Sequence, residues 1–179
     1  MDFKECIETR RSIRSFEDKP ISDDVLKEII TEASFAPSWK NTQCARYIAV
    51  KDPELKAKIG KCTSAYPHNG EIMASAPVVV CVTALKSRSG FERDGSYSTD
   101  RENGWTMFDT GVATYGFTLA CHEHGIGSVI MGIFDRDDIE KVLELPEERE
   151  LVCIVPIGYP AESPACPKRK TADDLLTII

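Results

Sequence analysis

Two runs of consecutive apolar residues constrain the fold most. They are Pro77-Val78-Val79-Val80-Cys81-Val82-Thr83 and Leu151-Val152-Cys153-Ile154-Val155-Pro156-Ile157-Gly158. Both are rich in β-branched residues, which suit a pleated surface. The first is nearly uninterrupted, as a strand buried on both faces should be. A shorter strand is expected at Tyr47 to Val50, closed by Asp52-Pro53, and another at Ser128 to Ile133.

Between these runs the apolar period changes to about 3.6 residues. Ser22 can cap a helix that carries Val25, Leu26, Ile29, Ile30 and Ala33 and stops before Pro37. Phe3 to Arg11 and Glu54 to Lys61 also read as helices, and Asp135 begins another through Ile139, Val142 and Leu143. The longest helix is expected over Trp105 to His124. Its small residues Gly111, Ala113, Thr114, Gly116 and Ala120 would let a second helix approach closely. Lys86 to Asn103 is polar and glycine-containing, and reads as a mobile loop or lid without a core of its own. Asp173 to Ile179 is open between a final helix and an added strand. The order of elements predicts an α+β fold. No linker or repeat divides the 179 residues, so 1–179 is expected to be one domain.

The net charge of −7 disfavours nucleic acid and anionic membrane as partners. No apolar run is long enough to span a bilayer, and the N-terminus lacks the apolar stretch of a signal peptide. A cytoplasmic protein is therefore expected. The seven cysteines are widely spaced with no Cys-x-x-Cys pair, which predicts reduced structural thiols. His122 and His124 would point in different directions on a helix, and no third ligand of suitable spacing accompanies them, so no metal is expected. His68 reads as part of an exposed turn. Asp100 and Asp109 are carboxylates without an evident partner for acid–base work. No Gly-x-Gly-x-x-Gly follows a strand and no Gly-Lys-Ser/Thr loop occurs, which argues against the usual nucleotide folds.

Four segments can carry chemistry. Arg10-Arg11-Ser12-Ile13-Arg14 is a basic knot in an acidic chain. Arginine forks match phosphate oxygens and a serine hydroxyl adds a donor. A solvated helix end, where cations complement the dipole, is the other reading. Lys168-Arg169-Lys170 is a second basic cluster, open between an anion site and a solvated tail. Ala36-Pro37-Ser38-Trp39-Lys40-Asn41-Thr42-Gln43 places amide and hydroxyl groups in a loop, suited to the edge of a heterocycle or simply joining a helix to a strand. Gly125 to Phe134 contains glycines that permit a flat ligand to approach the backbone, or a tight turn.

Taken in order, these segments resemble the FMN-dependent nitroreductase family. Thr9-Arg10-Arg11-Ser12-Ile13-Arg14-Ser15-Phe16 is similar to that family's Arg-Arg-Ser-x-Arg-x-Phe opening, and Ala36 to Gln43 to its Ala-Pro-Ser-x-x-Asn-x-Gln element. The Gly125 to Gly132 stretch, Ile157-Gly158-Tyr159-Pro160 and Lys168-Arg169-Lys170 fall where the family has them. The resemblance implies a nitroreductase-like fold, with a central mixed β-sheet flanked by helices, in an intertwined homodimer that binds FMN at the subunit interface. It implies that Arg10, Arg11, Ser12 and Arg14 hold the phosphate and ribityl region, completed by Arg169 and Lys168. Pro37, Ser38, Trp39 and Asn41 of the other subunit would line the isoalloxazine. Gly132 would present its N–H to flavin N5 beside Met131 and Ile133, and the Trp105 to His124 helix would lie at the dimer interface. NAD(P)H would be the co-substrate of a ping-pong reduction of nitroaromatics, quinones or related acceptors, with no side-chain nucleophile needed.

This chain departs from the pattern in three places. Cys44-Ala45-Arg46 follows Gln43 where a proline is common, Trp39 is large for its position, and Ile133 replaces a frequent glycine. These bear on substrate size. Two rival readings are a specialised relative with another substrate and an FMN-binding sensor or storage protein without turnover.

Overall fold

The computed structural model describes residues 1–179. The strands are β1 (Ala45–Val50), β2 (Val78–Leu85), β3 (Gly127–Ser128) and β4 (Arg149–Gly158), in the order β1-β2-β4-β3. All three pairings are antiparallel. The parallel component expected of a mixed sheet is one bridge, between Ser12 and Ser128. Seven helices surround the sheet: α1 (Phe3–Thr9), α2 (Asp23–Ala33), α3 (Pro53–Lys61), α4 (His68–Ser75), α5 (Gly104–Glu123), α6 (Arg136–Val142) and α7 (Ala172–Leu175). The fold is α+β.

The apolar run of β2 is buried almost throughout, because helices cover both faces of the sheet. Val79 and Cys81 join a core with Ile59 of α3, Ile72 and Met73 of α4 and Ile139 of α6. Val78, Val80 and Val82 point to the opposite core, with Ile29 of α2 and Phe117 and Cys121 of α5. This alternation is the period of two that a strand imposes. Local signals set the helix ends. Ser22 accepts the Val25 amide at the start of α2, and Asp52 accepts that of Leu55 at the start of α3.

The structure corrects several expectations. His68 opens α4 rather than lying in a turn, with Pro67 at the cap position, where no amide hydrogen is needed. The strand expected over Ser128 to Ile133 is two residues long, followed by a separate bridge from Met131 to Ile154. Of the two forms expected for the tail, the short helix α7 is present and no strand is added to the sheet.

Residues 86–103 are largely exposed but are tied to the body of the fold at several points. Ser89 is fully buried, and its carbonyl accepts from Thr106. Phe91 and Tyr97 pack as an aromatic pair across a bridge. Gly90, at φ 84°, lies so close to Trp105 that a Cβ there would be 3.0 Å from the indole. No helix is long and apolar enough to cross a membrane.

Candidate active site

The two basic clusters meet because the chain after β4 is strapped to the segment after α1. Ile13 donates to the Ser128 carbonyl and Glu17 to that of Tyr159, while Ala161 donates to Ser15. Phe16 bridges Pro160, and Lys19 lies over the Tyr159 ring at 3.6 Å. Gly127 is required for this approach, since a Cβ there would sit 2.8 Å from Ile13. Glu162 adds a further tie, its carboxylate accepting from the Arg14 and Ser15 amides.

The result is a cavity of about 220 Å³ lined by Arg10, Arg11, Ser12, Arg14 and Arg169, with Pro164, Ala165 and Pro167 on its far wall. Arg10, Arg11 and Ser12 are half-buried; Arg14 and Arg169 are exposed. Arg11 donates to the Glu8 and Arg10 carbonyls and Arg14 to that of Ser12. None of the four guanidiniums is within ion-pair distance of a carboxylate, although the chain carries 29 of them. Four guanidiniums without an ion pair of their own line this cavity, with the Glu162 carboxylate held on the loop amides, and planar forks with a hydroxyl are donors suited to phosphate. Lys168 is exposed and lies outside the cavity lining. Beside this cavity, Arg10 and Ser12 also border a smaller one with Tyr115, Thr118, Ser128 and Ile130.

The Pro37 to Gln43 loop stands apart from the arginines. Pro37 and Ser38 line a different cavity, of about 350 Å³, with Cys44, Arg46, Tyr47 and Asp109. Lys40, Asn41 and Gln43 all have left-handed backbones, at φ 45°, 55° and 47°. Such conformations disfavour non-glycine residues by roughly 1–2 kcal/mol each, least for asparagine. Four ties hold the loop there. The Trp39 amide donates to Asp109 Oδ2 at 2.8 Å, and the Gln43 amide to Ser38 Oγ at 2.9 Å. Thr42 and Ser89 hydroxyls are 2.6 Å apart, and Lys40 pairs with Glu92 at 3.1 Å. The Ser98 hydroxyl, and after it Lys40, hold the Glu92 carboxyl below its usual range. Asn41 is exposed and accepts from the Gln43 side chain.

Gly132 and Ile133 are exposed, and Gly132 lines a further, open cavity whose acids include Asp135, Asp137, Asp138 and Glu150. The Met131 side chain is in the core, so only its backbone is left to face a ligand. The structure thus brings Arg10, Arg11, Ser12, Arg14 and Arg169 together within one chain. It leaves Pro37 to Asn41 and Gly132 on surfaces of their own.

The histidines have local partners. His122 Nε2 is 2.8 Å from the Thr9 hydroxyl, and burial with Arg10 nearby lowers its pKa. His124 meets Glu32 at 3.0 Å. Sequence reasoning missed Glu162, Trp105 and Glu92, and left Asp109 without a role. The one signal for Asp109 was its place beside Thr106, Thr110 and Thr114, which recur every four residues on the buried face of α5.

The Nitroreductase family model matches residues 7–66 and 63–159. An Archaeoglobus fulgidus protein, provisionally named NADH dehydrogenase/NAD(P)H nitroreductase, is 31% identical over 89% of this chain and 87% of its own length. An FMN reductase [NAD(P)H] of Bacillus subtilis is 29% identical over 87% of this chain and 64% of its own. The crystal structure of a nitroreductase family protein from Clostridium novyi NT superposes with a TM-score of 0.79 at 29% identity, covering 91% of this chain and 87% of that one. With the matched segments spanning both the arginine loop and the sheet, the chain belongs to the nitroreductase family.

Proposed function

We propose that this protein binds FMN at the arginine loop and reduces nitroaromatic, quinone or related acceptors with NAD(P)H in a ping-pong cycle. The convergence of Arg10, Arg11, Ser12, Arg14 and Arg169 without a carboxylate partner carries the reading. The donor set fits a phosphate monoester. The Bacillus subtilis relative, named for FMN and NAD(P)H, supports the choice of flavin and reductant.

Bound flavin supplies hydride chemistry between nicotinamide and acceptor. The chain's residues hold and orient it. The four arginines and Ser12 anchor the phosphate and ribityl region, and Lys168 adds charge. Gly132 offers its N–H to the ring, flanked by the backbones of Met131 and Ile133. Pro37, Ser38, Trp39 and Asn41 line the ring from a second subunit, which accounts for their separation from the arginines within one chain.

A homodimer also accounts for uncovered apolar surface. Met107, Phe108 and Tyr115 are 40%, 60% and 46% exposed along one side of α5, where Gly111 meets nothing. The tail exposes Leu175, Leu176, Ile178 and Ile179. Exposed apolar side chains of this kind are what a second subunit would cover.

The test is the visible spectrum of the purified protein before and after anaerobic NADH or NADPH. Flavin absorption near ~450 nm that bleaches with either nucleotide supports the reading. A protein that takes up no FMN overturns it, and a bound flavin that neither nucleotide reduces overturns the turnover.

A further inference from the structure

Asp109 is a buried carboxylate with an unusual environment. It is 4% exposed on α5 and has no cation within ion-pair distance. Its hydrogen-bond partner is the amide of Trp39. A buried carboxyl group with a single hydrogen-bond partner is costly to keep. What it holds is the start of the loop in which Lys40, Asn41 and Gln43 are left-handed. The Trp39 indole in turn packs on Trp105 with centroids 4.9 Å apart, and Trp105 meets Phe108 edge-on at 5.5 Å. The Trp105 indole donates to Thr99, so residues 86–103 lean on the same wall.

We propose that Asp109 is a positioning residue for acceptor binding: through the Trp39 amide it fixes the Trp39–Trp105 wall against which a flat acceptor ring stacks. The proposal rests on the flavin oxidoreductase reading and names the part of that site that selects acceptors. Offset and edge-on aromatic packing depends on orientation, so a wall freed to turn loses selectivity for planar rings before it loses the ability to pass electrons. Asp109 is not among the arginine loop's neighbours, so the phosphate anchors stay intact when it is changed.

The experiment compares wild-type holoenzyme with Asp109→Ala and Asp109→Asn. Menadione serves as the flat acceptor and ferricyanide as one that needs no stacking, both at saturating NADPH. Acrylamide quenching of tryptophan emission reads the wall directly, because the chain's two tryptophans are both in it. In Asp109→Ala, kcat/KM for menadione is expected to fall about tenfold or more, the scale of one hydrogen bond to a charged group. Ferricyanide turnover and flavin content should stay within about twofold of wild type by the argument that the anchors are untouched. Quenching should rise. Asp109→Asn keeps an oxygen for the Trp39 amide and should restore both menadione kinetics and quenching.

Unchanged menadione kinetics and quenching in Asp109→Ala would overturn the proposal and leave the flavin reading standing. Failure of Asp109→Asn to rescue would also overturn it. If Asp109→Ala does not fold, Thr42→Val removes the loop's tie to Ser89 and leaves every proposed flavin-lining residue in place. It should raise quenching and lower menadione kcat/KM in the same direction; no change in either overturns the proposal. A wild-type protein without flavin would sink the function reading, while the quenching comparison would still decide whether Asp109 holds the wall.

Discussion

Glu162 holds the arginine loop by its backbone, its carboxylate accepting from the amides of both Arg14 and Ser15. The side chain thereby keeps its own negative charge on the amides and away from ion-pair distance of the guanidiniums. Glu162→Ala should loosen the strap that carries Arg169 to the loop. Because Glu162 is exposed, the effect on FMN affinity should be modest, about tenfold or less. Glu162→Gln retains an acceptor and should bind nearly as wild type. Flavin fluorescence titration of the apoprotein measures both. Wild-type affinity in Glu162→Ala would mean that the backbone bridges alone hold the strap.

The arginines themselves should matter more. Replacing Arg14 or Arg169 by alanine removes a charge-assisted hydrogen bond to phosphate, about 1.5–3 kcal/mol of binding. The same titration should show FMN affinity falling by about tenfold to a hundredfold. An Arg10→Ala/Arg14→Ala double variant with unchanged flavin occupancy would remove the phosphate from this cavity.

Gly127→Ala tests the joint between sheet and loop. The added methyl group would lie 2.8 Å from Ile13 Cβ and must displace it. Overpacking of this kind typically destabilises by about 1–3 kcal/mol. The displaced segment also carries the Ser12–Ser128 bridge, so FMN affinity should fall together with the urea midpoint. A variant that unfolds earlier but binds FMN normally would show that the loop keeps its shape without this contact.

Much of this architecture was legible because its causes are local. The β2 run announces a strand covered on both faces, and Ser22 and Asp52 announce the starts of α2 and α3. The arginine cluster stood out as a basic knot in an acidic chain, but its pattern alone left both an anion site and a solvated helix end open. Long-range causes were hidden. Helix α4 begins at His68, inside Tyr66-Pro67-His68-Asn69-Gly70, which reads as a turn. Its helical form depends on close packing with α3, where a Cβ on Gly70 would meet the Gly60 carbonyl oxygen at 2.6 Å. The ties on residues 86–103 were hidden for the same reason, since Lys40 and Thr42 are 52 and 47 residues from the partners that they hold. Asp109 carried no visible purpose because its partner is a backbone amide seventy residues earlier.

The seven cysteines give a prediction that needs no ligand. All are free thiols; Cys6, Cys44, Cys81, Cys121 and Cys153 are buried, Cys62 is half-buried and Cys166 is exposed. At pH 8 a disulfide reagent should modify Cys166 quickly and Cys62 slowly. The other five should react only after denaturation, when all seven count. Burial pushes the Cys81 thiol up to about 12 and that of Cys153 up to about 11, and it raises the Tyr47 phenol to about 12. Each folded value lies above its unfolded counterpart, near ~8.5 for a thiol and ~10 for a phenol. Their contribution to stability is therefore complete below about pH 8.5 and is lost as pH rises through the folded values. The urea midpoint should fall steadily between about pH 9 and 11. A midpoint that holds level across that range, or five buried thiols that react as fast as Cys166, would show that the core around β2 opens far more readily than its packing implies.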